Sequence, residues 1–216
     1  MDTIIQDMND AIRELSLAEG GSASGIPSVT VWHFTGDKVQ MPQTGDPYLY
    51  IVLDGALRLY TPSGIVDCMQ GQYAISKIDT PLSGTVLAFS DRRDLLALSV
   101  VFAVHDIITA VLGLDDDLIQ KILNGHLDME DMALSDEAVI QSVHRLFSAM
   151  KTPVRSEFLR KAILQEVIYY VLCVSRGKQL LQSIADVGQA DDIYQANSWI
   201  KENFRHPFTV EELAEQ

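Results

Sequence analysis

The sequence predicts an α+β fold in which an N-terminal helix leads into an antiparallel β-barrel and an α-helical subdomain comes after it. Three observations lead there. The hydrophobic period is helical at the start, becomes two from Ser28, and is helical again after Ala103. The middle stretch breaks into about eight short apolar segments separated by Gly, Pro, Asp and Ser, a spacing that suits a barrel or sandwich rather than a parallel sheet. The 216 residues, 47% hydrophobic and 21% charged, are enough to bury a sizeable core.

Ile4, Ile5, Met8, Ile12 and Leu15 share one face of a helix that Gly20-Gly21 should end. Gly20 to Pro27 is rich in small residues and reads as a linker, so residues 1–27 are a helix and linker docked on the barrel. From Ser28, Val29, Val31 and His33 alternate with Thr30, Trp32 and Phe34, as in a strand. Tyr48–Leu53 and Ala56–Tyr60 flank Asp54-Gly55, a pair suited to a two-residue type I′ hairpin because both positions there need φ > 0. With Val52 opposite Leu57, the hairpin puts Tyr48, Tyr50, Val52, Leu57 and Leu59 on one face and Leu49, Ile51, Arg58 and Tyr60 on the other. Ile65–Met69, Tyr73–Ile78, Thr85–Phe89 and Leu95–Phe102 complete the barrel over residues 28–103.

Residues 104–188 read as helical. Ser135 caps a helix whose Ala138, Val139, Ser142, Val143, Leu146, Phe147 and Met150 form one face, and Thr152-Pro153 opens the next with proline at its first position. That helix, Phe158 to Val174, is apolar nearly all round, which calls for burial on more than one side. Asp191–Phe204 forms a further helix. Thr209-Val210-Glu211-Glu212 is then a capping box, in which the threonine hydroxyl accepts from the Glu212 amide and the Glu212 carboxylate reaches back. The helix it opens is cut at Gln216, too short to hold without packing partners. A frayed natural terminus is one reading. The preferred one is a domain whose remainder lies beyond the sequence.

Charge and motifs exclude several functions. Sixteen Lys and Arg against thirty Asp and Glu give a net charge of −14, which repels phosphate backbones, so this stretch should not bind DNA by itself. Cys68 and Cys173 lie far apart without a C-x-x-C pair and read as buried thiols of a reducing cytoplasm. The acidic N-terminus is no signal peptide, and no apolar run approaches a membrane span. There is no phosphate loop or nucleophile elbow. His33, His105, His126, His144 and His206 show no ligand spacing. Asp115-Asp116-Asp117 and Asp128–Asp131 suit helix starts, where negative charge favours the macrodipole.

The stretch Trp199–Gln216, WIKENFRHPFTVEELAEQ, resembles the entrance to the DNA-binding domain of AraC/XylS-family transcription regulators, and Tyr48–Gly84 resembles their cupin-like effector domain. The resemblance implies a cupin-like barrel that holds a small-molecule effector. It also implies helices that form a homodimer, and residues 189–216 as the incomplete start of a helix-turn-helix domain that would bind DNA in a bacterial cytoplasm. Enzymatic cupins carry H-x-H-x(3,4)-E. Here the positions matching those ligands are Met41, Gln43 and Tyr48, and Gly71 to Val86 contains no His, so no metal, cofactor or catalytic residue is expected. The cupin alignment turns the Tyr48 face inward, where Met41 and Gln43 should join it. Gln43, Tyr48, Tyr50 and Leu59 are therefore candidate effector contacts, with Trp32 and Tyr73 as further candidates. An ordinary core, with tyrosines near the mouth for their hydroxyls, would look the same in sequence. Phe158, Ile163, Val167 and Val171 are the candidate dimer contacts, with packing inside one chain the equal alternative. A free-standing, metal-free cupin that binds a small molecule, and a cupin enzyme, are the competing functions.

Overall fold

In the computed structural model, residues 1–15, 17–61, 64–76, 83–124, 134–148, 157–173, 177–178 and 180–181 are described. The first helix, α1 (Asp2–Arg13), buries Ile5, Met8, Ala11 and Ile12 on one face, as their spacing requires. It ends at Arg13, well before Gly20, and Leu15 is exposed. The expected linker is instead partly a strand. β1 (Gly20–Ala23) pairs antiparallel with β2 (Val29–Phe34), Gly21 opposite Trp32. Small residues hide this strand in the sequence because it offers no side chains to alternate.

Among the described residues, the strands after β2 are β3 (Lys38–Val39), β4 (Tyr48–Asp54), β5 (Ala56–Thr61), β6 (Gly64–Met69), β7 (Tyr73–Ile75), β8 (Ser83–Ala88) and β9 (Leu95–Val101). With β1 and β2 they form two antiparallel sheets, one in the order β1-β2-β9-β4-β7 and one in the order β3-β8-β5-β6.

β4 and β5 lie in different sheets, which corrects the expected hairpin. Asp54 stays in β4, paired with Leu96 of β9 across an irregularity after Val52. Of this pair only Gly55 has positive φ, at 89°, so a type I′ turn cannot form. The glycine turns the chain through a corner, and a Cβ there would sit 2.8 Å from the Ala88 carbonyl oxygen. The expected faces survive because alternation carries through the corner: Tyr48, Tyr50, Val52, Leu57 and Leu59 all line the space between the sheets.

The first sheet is therefore covered twice. Toward the second sheet it presents Trp32, Phe34, Tyr50, Val52, Leu95 and Ala97. Its other face, with Val29, Val31, Leu49, Ile51, Leu53, Leu96, Leu98 and Val100, packs against the helices. Burial on both sides explains why β4 and β9 read as unbroken apolar runs.

The helical layer contains α2 (Val104–Leu112), α3 (Asp116–Asn124), α4 (Glu137–Ser148) and α5 (Glu157–Cys173). Ser135 does not cap α4. Asp136 does, its Oδ1 accepting from the Ala138 and Val139 amides at 3.0 and 3.1 Å. α4 buries Val139, Ile140, Val143, Leu146 and Phe147, with Ile140 rather than Ala138 turned inward. α5 buries Leu164, Val167, Ile168, Val171 and Leu172. Cys68 is buried as expected, whereas Cys173 is exposed at the end of α5, where the helix turns that side to solvent. Thr152-Pro153, the Asp191–Phe204 helix and the Thr209–Glu212 capping box lie outside the described residues.

Candidate functional site

The space between the sheets is built by alternate residues of β2, β4, β5, β6 and β9, each strand sending every second side chain inward. Trp32 is the largest of them. Its indole Nε1 donates to Ser99 Oγ at 2.8 Å, and its ring stacks on Phe34, with centroids 6.2 Å apart and planes 14° apart. Tyr50 tilts against the same indole at 6.1 Å. The other constraint on Trp32 is Gly21: a Cβ there would lie 2.9 Å from the indole ring. Gly21 thus lets the β1 backbone lie flat on the tryptophan, a role that only the pairing of β1 with β2 reveals.

Tyr50 is fully buried, and its hydroxyl has no hydrogen-bond partner among the described residues. Burial, then the neighbouring Tyr48, pushes its phenol well above the usual value near 10, so it stays protonated and able to donate. Tyr48, Leu57, Leu59 and Val66 fill the interior beside it. Where this interior meets solvent, a cavity of about 690 Å³ opens between Trp32, Val39, Gln40, Met41, Gln43 and Ser83. Gln43 donates its side-chain amide to the Met41 carbonyl at 3.1 Å, which orients its own carbonyl oxygen as an acceptor.

Of the residues singled out from sequence, Trp32, Tyr48, Tyr50 and Leu59 share this interior, and Gln43 stands at its mouth. Tyr73 does not join them. It lies on the opposite face of β7, in the core under the helices, because its neighbour Ala74 takes the inward position. Sequence reasoning misses Gln40, Val39 and Ser83. Val39 and Gln40 lie on or beside β3, whose two residues are too few for a periodic signal, and Ser83 begins β8 two residues before the stretch Thr85–Phe89 that reads as a strand.

A second polar site ties α1 to the barrel. Arg13 bridges Asp94, with Nη1 2.6 Å from Oδ2 and Nη2 3.0 Å from Oδ1, and its Nη2 also meets Asp54 Oδ2 at 2.7 Å. Asn9 donates to the same Asp54 oxygen, and Ser90 Oγ to Asp94 at 2.5 Å. The Arg13 guanidinium holds the Asp94 carboxyl down at about 2, and Asp94 in turn raises Arg13. A polar cavity of about 310 Å³ lies beside it, and a larger one of about 760 Å³ runs between the barrel end, at Pro27 and Val101, and α5, at Arg160 and Leu164. No cluster of three or more His, Cys, Asp or Glu poised to hold a metal occurs among the described residues. Met41, one of the positions that align with cupin ligands, is packed in the interior.

The candidate dimer contacts separate into two groups. Val167 and Val171 are buried within the chain in the core that α4 and α5 share, so they offer no surface to a second copy. Ile163 is partly buried, and Phe158 is 81% exposed at the start of α5.

Residues 25–179 match the family described as the AraC-type transcriptional regulator N-terminus. No curated protein matches the chain. Among solved structures, ToxT from Vibrio cholerae O395, bound to (E)-4-(8-methylnaphthalen-1-yl)but-3-enoic acid, superimposes with a TM-score of 0.53 at 10% identity, covering 87% of this chain and 69% of that one. ToxT from Vibrio cholerae strain SCE256, bound to an unsaturated fatty acid, gives 0.53 at 11% identity, covering 87% and 67%. A cupin domain from Bordetella pertussis Tohama I covers 41% of this chain and 100% of its own length, at 16% identity and a TM-score of 0.30.

Proposed function

This chain belongs to the AraC-type transcriptional regulators, whose N-terminal part it matches, and from that premise we propose that it senses a small molecule and controls DNA binding by a helix-turn-helix domain. The observation that carries the reading is the family match over residues 25–179, which spans both the barrel and the helices packed on it. In this reading the barrel mouth beside Trp32, Met41 and Gln43 admits a largely apolar effector, with Tyr48, Tyr50 and Leu59 forming the wall behind it. The protein binds and releases its effector in the cytoplasm without changing it chemically.

The double-sided sheet supplies a physical route for the signal. Trp32, Tyr50 and Val52 face the effector side, while Val31, Leu49 and Ile51 in the same strands press on the helical core. A ligand that displaces the first set biases the second, because packed layers shift between discrete arrangements rather than deform continuously. α5 then links the barrel to a second copy through its exposed side at Phe158, and two copies read two half-sites on DNA. The net charge of −14 favours a DNA contact made by a separate, basic segment.

The test is chromatin immunoprecipitation of the protein expressed from its whole gene. Discrete promoter sites should be recovered, and Gln43→Ala, at the rim of the mouth, should change their occupancy while the amount of folded protein stays the same. Absence of any enriched site would overturn the regulator reading in favour of a free-standing binding protein.

A further inference from the structure

We infer that the barrel mouth selects an uncharged, flat, largely apolar molecule carrying one hydroxyl or carbonyl group, and discriminates against carboxylates of the kind bound in the two ToxT structures. The inference rests on the barrel-mouth reading above and names the chemical class of its ligand.

Every described side chain that lines the mouth is neutral: an indole, a thioether, a valine, two amides and a hydroxyl. Arg58, the cation on the neighbouring strand β5, faces outward and is held by both oxygens of Asp67, at 2.7 Å each. A carboxylate entering between Trp32 and Met41 would exchange its hydration for neutral dipoles, which disfavours the charged form. A neutral oxygen avoids that cost. The flat shape follows from Trp32, which is braced by Phe34, by Gly21 and by its bond to Ser99, and so presents a fixed wall. A ring laid along that wall also meets the polarizable sulfur of Met41.

The polar group of the ligand has two complementary partners. The buried Tyr50 hydroxyl, on the ring tilted against Trp32 and behind the residues that line the mouth, is a protonated donor with no partner among the described residues. Leaving such a group unsatisfied is unfavourable, and a ligand oxygen that accepts from it removes the penalty. At the rim, the Gln43 carbonyl oxygen accepts from a ligand hydroxyl.

The experiment is isothermal titration calorimetry of the 216-residue chain with 2-naphthol and with 2-naphthoate at pH 7. The two probes share a ring system, and the naphthol, like a tyrosine phenol, stays protonated there. The naphthol should bind roughly tenfold more tightly than the carboxylate. Tyr50→Phe should weaken the naphthol roughly fivefold, and Ser83→Trp, which fills the mouth, should abolish binding. Thermal melts establish that both variants fold. Equal or tighter binding of naphthoate that is still lost in Ser83→Trp overturns the ligand class and leaves the barrel-mouth site standing. Unchanged naphthol affinity in Tyr50→Phe overturns the role of that hydroxyl. Failure of both probes to bind, or binding that persists in Ser83→Trp, overturns the ligand class and the site together.

Discussion

Asp94 carries most of the electrostatics that hold α1 against the barrel. It lies at the entry to β9, its side chain is 9% exposed, and it receives both terminal nitrogens of Arg13 and the Ser90 hydroxyl. Its pKa falls from 3.8 to about 2, first because of the hydrogen bond from Arg13. The unfolded chain therefore binds more protons than the folded one between those values, and folding stability rises with pH across the interval. The increment is fully present above pH 4 and is lost as pH falls through about 2. It amounts to about 2 kcal/mol. In urea titrations, Asp94→Asn should remove this acid-side slope and lower stability at pH 7 by a similar amount. An unchanged pH profile would show that the Arg13–Asp94 pair adds nothing to the hold on α1. The bidentate Arg58–Asp67 pair looks similar in distance but lies at the surface, where solvent screens it and its removal should matter little.

At the scale of elements, the ends of helices and strands are where sequence and structure part. The α4 helix is visible from its apolar period, yet its cap is Asp136, one residue beyond the Ser135 that the sequence suggests. Both residue types cap well, and only the backbone path decides between neighbours. Asp136→Ala should cost about 1 kcal/mol in denaturant unfolding, while Ser135→Ala should be close to neutral.

The α5 helix shows the reverse problem. Its apolar coverage is legible in the sequence, but not which side is taken by α4 and which is left open. Val167 is core and Phe158 is surface. Phe158→Asp should therefore leave circular dichroism unchanged and, if the exposed side of α5 joins two copies, shift sedimentation velocity from dimer to monomer. Val167→Asp should instead destabilise the single chain by about 4 kcal/mol or more, because it buries a charge. A dimer that survives Phe158→Asp would move the interface elsewhere.

For the whole molecule, the decisive feature is one sheet shared between two cores. β2, β4 and β9 belong equally to the barrel and to the helical layer, so neither can lose its packing without exposing the reverse face of the same strands. Equilibrium unfolding should accordingly be a single transition, with helix content by far-ultraviolet circular dichroism and the fluorescence of Trp32 in a Trp199→Phe variant reporting coincident midpoints. Separated midpoints would mean that the helices are only loosely joined to the barrel, and would remove the proposed route from effector to α5.

Local rules, readable along the chain without coordinates, account for a large part of this protein. Period-two alternation puts Tyr48, Tyr50, Leu57 and Leu59 on one face, and helical period marks α1, α4 and α5. The lack of a histidine cluster in the sequence turns attention from catalysis to binding, and the AraC resemblance rests on motifs that need no structure to be seen. The remainder depends on contacts distant in the chain. Asp54-Gly55 is a corner between sheets rather than a hairpin because β9 and α1 claim Asp54 while Ala88 leaves no room for a Cβ at Gly55. Gly20-Gly21 is a strand because β2 is there to pair with it. Tyr73 belongs to the helical core because one position of register along a strand exchanges its faces. Alternation is a property of one strand, whereas pairing partners and covering layers are properties of the assembled chain.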